Sequence, residues 1–196
     1  YTNPQSRGRI THWMLEELGQ PYETRVLDYT TTMKAPEYLA LNPMGKVPAL
    51  VHDGQVITEG AAILTYLADA FPEAGLMPAN RAAFYRWMFF GAGPVEAAVT
   101  NKALGVEVPP ERRGMVGYGC LEDVTNTLAA QLSATPYLCG DRFSAADVYV
   151  GSQIGYGMRF KTIEPLPVFA EYWDRISARP ALARSTALND ALLPKA

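Results

Sequence analysis

Apolar and polar residues recur with two different periods near the start of this chain. A helical pattern runs up to Gly19, a residue type that commonly ends helices. Its apolar positions are Ile10, Trp13, Met14 and Leu18. Further on, β-branched Thr24 and Val26 alternate with charged neighbours, which predicts a strand over 22–27. We expect Tyr1 and Thr2 to be the tail of an earlier strand, part of which precedes Tyr1.

The next apolar stretch is divided by turn residues. Pro48 precedes the run 49–51, and proline, which has no N–H, is tolerated at the start of a strand. Asp53-Gly54 is the dipeptide that tight two-residue hairpins prefer. A short helix over 36–41 comes before this hairpin, and a longer helix, which Thr58 or Glu59 can cap, follows it. The predicted order is β-α-β-α-β-β-α, with a small four-stranded mixed sheet.

After this part the pattern becomes entirely helical. We predict an α/β domain over 1–73, a linker over 74–79 that holds Gly75 and Pro78, and an all-α domain over 80–196. Asn80 can cap a long helix that bends near Pro94. Pro109-Pro110 begins another helix, and Ser144 with Asp147 forms a capping box before a third.

Composition narrows the function classes. The net charge is −3 and the longest basic cluster is Arg112-Arg113, which argues against a nucleic-acid partner. With 48% hydrophobic residues, the chain has no apolar run near the roughly 20 residues of a membrane span, so no membrane segment is expected. Cys120 and Cys139 have no nearby His, so neither a metal site nor a CxxC centre is predicted. Sparse cysteine and the lack of a signal-like segment favour the cytoplasm.

This order of elements, with a proline before the third strand and a helical second domain, resembles the cytosolic glutathione S-transferase family. The resemblance covers nearly the whole chain. It implies a thioredoxin-like first domain, a cis peptide bond between Val47 and Pro48, and glutathione as co-substrate. Cis bonds are almost confined to proline.

The resemblance also assigns residues to glutathione. Val47 is expected to pair its backbone N–H and C=O with the cysteinyl part of the tripeptide, like an added strand. Glu59 and the N–H of Gly60 are expected to hold the γ-glutamyl end, although Gly60 stands where the family usually has Ser. The full predicted set is Lys34, Lys46, Val47, Pro48, Glu59 and Gly60. In it, Lys34 and Lys46 are candidates for the glycine carboxylate.

Catalysis in this family keeps the glutathione sulfur as a thiolate, the form that attacks. Ser6 lies at the start of the first helix and resembles the activating serine of the serine-type bacterial branch. Asn3 and Gln5 are alternative donors through an amide N–H, since family members differ in where this donor lies. A helix N-cap is the purely structural interpretation of Ser6.

The second substrate is expected to meet an aromatic wall from the helical domain, for which Tyr85, Met88, Phe89 and Tyr156 are the candidates. The predicted function is conjugation of glutathione to small apolar electrophiles, in a homodimeric detoxification enzyme. Two alternatives stay open. One is a glutathione-dependent peroxidase or disulfide reductase, and the other is a non-catalytic binding module of the same fold.

Overall fold

The structure, a computed structural model, describes residues 1–193. The last three positions of the predicted helical domain, 194–196, lie outside the described residues. The described chain forms two compact units, of which the first contains Tyr1–Ala74 together with 178–193, and the second is Gly75–Ser177. The division lies within the predicted linker over 74–79, and 178–193, part of the predicted helical domain, lie with the first unit.

The first unit mixes helices with a small sheet, and the second is helical. The helices are α1 (Gly8–Leu18), α2 (Pro36–Leu39), α3 (Gly60–Ala70), α4 (Arg81–Phe90), α5 (Glu96–Leu104), α6 (Leu121–Ala134), α7 (Ala145–Arg159), α8 (Pro167–Ser177) and α9 (Pro180–Ala191). The strands are β1 (Ala49–His52) and β2 (Gln55–Thr58). Shorter 3₁₀ turns cover Thr32–Lys34, Pro72–Ala74 and Pro110–Met115.

The predicted hairpin is present with the expected turn. Ala49 faces Thr58 and His52 faces Gln55 in an antiparallel register. Asp53 and Gly54 at the turn have φ values of 49° and 75°, and a type I′ hairpin turn requires a positive φ at both central positions. The hairpin therefore follows from the dipeptide between the two apolar runs.

The rest of the sheet is reduced to single residue pairs. Thr2 and Val26 form a parallel bridge, in which Thr2 N–H donates to Arg25 C=O at 2.9 Å. Tyr1 and Ala49 exchange both backbone hydrogen bonds, at 2.9 and 3.2 Å. Over the predicted strand 22–27, the structure shows only the bridge at Val26. The four predicted segments are present side by side, but only β1 and β2 are regular strands.

Helix α1 buries the apolar face that its sequence predicts. Ile10, Trp13, Met14 and Leu18 are all at most 8% exposed. The helix ends at Gly19, which has a φ of 66° and lets its N–H bond back to Leu15 C=O. Within the first unit, α1 packs against α3 as well as α9.

The other face of α1 is covered by α9, the last helix of the chain. Arg179 donates from Nε and Nη2 to the two carboxylate oxygens of Glu17, at 2.6 and 2.7 Å. Deeper in the same interface, His12 Nδ1 lies 3.0 Å from the Oδ1 of Asn189, which is fully buried. These contacts explain why the chain after Ser177 belongs to the first unit.

In the second unit, two of the predicted helix signals are present and one is not. Asn80 Oδ1 accepts a hydrogen bond from Ala83 N–H at 3.1 Å and so caps α4. The predicted bend near Pro94 is a π-helical turn over Gly91–Val95, which accommodates the missing proline N–H between α4 and α5. The helix predicted from Pro109-Pro110 is instead a 3₁₀ turn, followed by α6.

Asp147 holds the start of α7. Its carboxylate accepts hydrogen bonds from Ser144 N–H and Oγ, Leu138 N–H and Tyr172 Oη, all at 2.9 Å. Burial raises the pKa of this carboxyl group, which the hydrogen bonds partly oppose. The predicted capping box is therefore present and entirely buried. Among residues 1–193, no helix is both long and apolar enough to cross a bilayer.

Candidate functional site

The register of the hairpin brings Pro48 and Glu59 to the same end of the sheet. Ala49 pairs with Thr58, so the residue before Ala49 and the residue after Thr58 both leave the hairpin at this end. Tyr1 pairs antiparallel with Ala49, so the chain that follows Thr2 runs toward the same end of the sheet. Loop 3–6, the turn at Val47-Pro48 and the start of α3 therefore converge there.

The turn at Val47-Pro48 has the backbone geometry that the family resemblance implies. The Val47–Pro48 peptide bond is cis. Val47 is half-buried, and within residues 1–193 neither its N–H nor its C=O has a hydrogen-bond partner. A backbone donor and acceptor left open side by side can pair with another extended peptide.

The segment before Val47 is held by two buried side chains that the sequence analysis missed. Asn42 is 4% exposed, and its Nδ2 donates to Lys46 C=O at 2.8 Å while its Oδ1 accepts from Met44 N–H at 3.1 Å. Tyr38 donates its hydroxyl hydrogen to the same Lys46 carbonyl. Asn-Pro is a turn signal in sequence, but only the folded loop shows that the asparagine amide points inward.

The two predicted lysines have different environments. Lys34 Nζ donates to Gly45 C=O at 2.6 Å, so it already supports the loop. Lys46 is exposed, and no hydrogen bond of its ammonium is formed within the described chain. Lys46 is therefore the freer of the two to meet a carboxylate.

Glu59 takes an unusual backbone conformation at the start of α3. Its φ is 67° and its ψ is 119°, values that a non-glycine residue rarely adopts. Its side chain is exposed and makes no capping bond, although the sequence had suggested a cap at Thr58 or Glu59. The N–H groups of the first α3 turn, beginning at Gly60, have no helical acceptor. A carboxylate and a positive helix end thus stand next to each other.

The loop between the first strand and α1 is tied together by its own polar groups. Asn3 Nδ2 donates to Leu27 C=O at 2.8 Å, and its Oδ1 accepts from Gln5 N–H at 2.9 Å. Ser6 Oγ donates to Asn3 C=O at 2.6 Å and accepts from Gly8 N–H at 3.0 Å. The amide of Asn3 is thus committed to the loop, while Gln5 is exposed. Ser6 is half-buried beside the α1 N-terminus.

Gly8 is required where α1 passes the first strand. A Cβ at this position would lie 2.0 Å from Thr2 Oγ1 and 3.0 Å from Ser6 Oγ. Only glycine lets the helix start this close to the strand and loop. The first turn of α1 contains no acidic side chain, and neither does that of α3, so two helix N-termini favour an anion at this end of the sheet.

The candidate second-substrate residues separate into exposed and buried. Tyr85 and Phe89 lie one turn apart on α4 and are 45% and 74% exposed, and Tyr156 on α7 is half-buried. Met88 is 1% exposed. Met88 was predicted on the substrate wall, but its side chain is buried in the core of its unit, because it lies about 100° around α4 from the exposed Phe89.

Cys120 and Cys139 are free thiols. Burial raises the pKa of Cys139 to about 11, which disfavours its reactive thiolate form. Within the described chain, His, Cys, Asp and Glu side chains form no group of three or more that could hold a metal ion.

Similar proteins share both halves of this architecture. Residues 7–70 match the family model for the glutathione S-transferase N-terminal domain. Glutathione S-transferase GST-4.5 of Xanthomonas campestris pv. campestris is 32% identical over 76% of this chain and 78% of its own. GstA of Escherichia coli O157:H7 is 29% identical over 92% of each chain.

Solved structures agree over nearly the full length. A ternary complex of BphK, a bacterial GST, matches with a TM-score of 0.79 and 28% identity, over 97% of this chain and 98% of that one. A sphingomonad glutathione S-transferase complexed with glutathione gives 0.77 and 27% identity, over 96% and 97%. The fold is therefore a thioredoxin-like N-terminal domain followed by an all-helical one. The chain belongs to the glutathione S-transferase family of enzymes.

Proposed function

We propose that this protein binds glutathione, holds its sulfur as a thiolate and transfers it to small apolar electrophiles. The observation that carries this proposal is the open backbone of Val47, whose N–H and C=O have no partner among residues 1–193. A tripeptide paired there as an extra strand places its γ-glutamyl end toward Glu59 and the α3 N-terminus. Lys46 supplies a positive charge at the other end. The solved sphingomonad relative is named as a glutathione complex.

Forming the thiolate of bound glutathione at neutral pH requires free energy from the protein. A free thiol has a pKa of about 8.5. Lowering that value by about 2 units requires about 2.7 kcal/mol of preference for the anion. The N-terminus of α1 and one hydroxyl donor from Ser6 can supply this together. In this proposal Ser6 turns its hydroxyl hydrogen from Asn3 C=O to the sulfur, and the protein would belong to the serine-type bacterial branch that the family resemblance implies.

One observation favours a second candidate. Ser6 already donates its hydroxyl hydrogen to Asn3 C=O and accepts from Gly8 N–H, as a helix-capping residue does. If Ser6 only caps α1, then Asn3 or Gln5 activates the thiol, or the protein is a non-catalytic binding module of the same fold. Of Asn3 and Gln5, Gln5 has the more accessible side-chain amide, because Gln5 is exposed whereas Asn3 is buried and gives one of its two amide hydrogens to Leu27 C=O.

Binding is tested first. The folded protein should be retained on immobilised glutathione, and millimolar glutathione should raise its Tm. A folded protein that shows neither effect refutes the proposal and its alternatives that use glutathione. Activity toward a chloronitrobenzene, compared with activity toward a hydroperoxide, then separates transferase from peroxidase.

Activation is tested on Ser6. Ser6→Ala should raise the pKa of bound glutathione, measured from the ultraviolet absorbance of the thiolate. Ser133→Ala is the matched control, since this exposed serine also bonds a backbone carbonyl, that of Ala129 at 2.8 Å. An unchanged thiol pKa in Ser6→Ala excludes Ser6 and shifts the assignment to Gln5 or Asn3.

The electrophile site, the assembly and the cellular role are also proposals. Tyr85, Phe89 and Tyr156 offer the apolar surface for a small electrophile, and Met88 is left out because it is buried. We expect a homodimer in the cytoplasm that acts in detoxification, as the family resemblance implies. Replacing Tyr85 and Phe89 by Ala one at a time should raise KM for the electrophile and leave KM for glutathione unchanged.

A further inference from the structure

Arg9 joins two segments that are distant in sequence. Its Nε donates to Pro4 C=O at 2.5 Å, and its Nη2 donates to Asp190 Oδ1 at 2.7 Å, 181 residues further along the chain. Pro4 is buried in the middle of loop 3–6, and Asp190 lies on α9. A guanidinium group is planar and rigid, so fixing one of its nitrogens fixes the direction of the others.

We propose that Arg9 is a positioning residue for thiol activation, through which α9 holds loop 3–6 in its active geometry. This inference rests on the proposed function, because loop 3–6 carries Ser6 and its alternates. The loop is anchored on one side by Asn3, which bonds Leu27 C=O, and on the other by Arg9, which bonds Pro4 C=O. A donor aimed at a thiolate loses much of its effect when its position shifts by a fraction of an ångström.

The pair between Arg9 and Asp190 is not needed to dock α9. The side chains of Arg9 and Asp190 are 24% and 55% exposed, and ion pairs this open contribute little to stability. Arg179 and Arg184 already tie α9 to Glu17 and Glu16 of α1. The hydrogen bond from Arg9 to Pro4 C=O distinguishes Arg9 from Arg184, whose hydrogen bonds both go to Glu16.

Arg184 provides a matched control within the same interface. Its Nε donates to the Glu16 carboxylate at 2.7 Å and its Nη2 to Glu16 C=O at 2.9 Å. Like Arg9, it bonds one carboxylate and one backbone carbonyl. Unlike Arg9, it bonds a carbonyl within α1, so its loss weakens helix docking without releasing the loop.

The test compares Arg9→Gln, Arg9→Lys and Arg184→Gln in the full chain. Both Arg9 variants should raise the pKa of bound glutathione and lower kcat/KM at neutral pH by about fivefold, the loss expected for one hydrogen bond. Arg184→Gln should lower Tm while leaving the thiol pKa and kcat/KM as in the wild type. If Arg9→Lys behaves like the wild type, the charge of Arg9 matters and its bridging geometry does not, which overturns the proposal.

A second measurement covers the case in which the Arg9 variants fail to fold. Asp190→Asn leaves Arg9 in place but weakens its anchor, so backbone N–H groups over 3–8 should exchange with deuterium about fivefold faster than in Arg184→Gln. Equal exchange in the two variants refutes the link through Arg9. If the wild type does not bind glutathione, the proposed function fails; if Ser6→Ala alters the thiol pKa and the Arg9 variants do not, only this inference fails.

Discussion

The side-chain amide nitrogen of Asn42 donates to the backbone carbonyl of Lys46 at 2.8 Å, one residue before the open backbone of Val47. This bond and the one from Tyr38 to the same carbonyl fix the segment that leads into Val47, whose open backbone is the proposed glutathione-binding edge. The geometry of the edge therefore depends on side chains that do not face the tripeptide.

Replacing Asn42 should weaken glutathione binding more than it weakens the fold. Asn42→Ala removes the bonds to Lys46 C=O and Met44 N–H, and we expect the Kd for glutathione to rise by about tenfold. Tyr38→Phe should have a smaller effect, because Asn42 still donates to the same carbonyl. Asn101→Ala is the control, since this half-buried asparagine bonds Tyr118 Oη in the second unit. Titration calorimetry measures all three, and equal Kd values for Asn42→Ala and Asn101→Ala contradict the prediction.

Replacing Glu59 by Gly should weaken glutathione binding without lowering the stability of the fold. Its φ of 67° is unfavourable for any residue with a Cβ, by about 1 kcal/mol, and this cost disappears in Glu59→Gly. Asp53→Gly relieves a similar φ of 49° in the hairpin turn, away from the proposed site. We expect urea denaturation to show both variants as stable as the wild type or more so, with affinity for glutathione lost only in Glu59→Gly. Unchanged affinity in that variant contradicts the role of the carboxylate.

The bond between Arg179 and Glu17 should matter most for the docking of α9. The Glu17 side chain is 6% exposed, and it also accepts a hydrogen bond from Trp13 Nε1 at 2.9 Å. Arg179→Leu leaves this carboxylate buried without its cation, and we expect a loss of about 3 kcal/mol in the free energy of unfolding. Arg184→Leu should cost under about 1 kcal/mol, since its pair is more open. The double variant Arg179→Leu with Glu17→Leu should recover part of the loss.

His12 should make the protein less stable in mild acid. Asn189 Nδ2 donates to Ser185 C=O, so its Oδ1 is an acceptor and His12 Nδ1 carries the proton, leaving Nε2 to accept from Thr24 Oγ1. Burial lowers the pKa of His12 below its usual 6.5, despite the hydrogen bond to Asn189 and the nearby Glu16, which raise it.

The sign of the pH dependence follows from this lowered pKa. The unfolded chain takes up a proton on His12 near 6.5, whereas the folded chain does so only at lower pH. The contribution of neutral His12 is therefore complete above 6.5 and declines as the pH falls toward the folded pKa. The free energy of unfolding of the wild type should drop between these values by more than that of His12→Gln. An equal drop in both proteins contradicts the prediction.

Much of the fold could be predicted because its signals are local. The apolar face of α1, the Asp53-Gly54 turn, the Asn80 cap and the Ser144–Asp147 capping box each depend on residues within one helix or turn. The strand over 22–27 was predicted from alternation, but alternation does not show how much of a segment pairs with its neighbour, and the described pairing is the bridge between Thr2 and Val26. Met88 was predicted to contact the second substrate for a similar reason. Helical periodicity identifies the faces of α4 but does not show which face is covered by other helices.

By itself, the sequence determined the order of the elements, the hairpin turn and the residues that resemble a tripeptide site, because these are set by neighbours along the chain. Only the tertiary structure decided that α9 packs on α1, that Asn42 points its amide at Lys46 C=O, and that Arg9 reaches both Pro4 and Asp190. Such contacts join residues far apart in sequence or orient a side chain inward, and no spacing or composition encodes them. The sheet register then brings Pro48, Glu59 and loop 3–6 to one edge, where the proposed chemistry takes place.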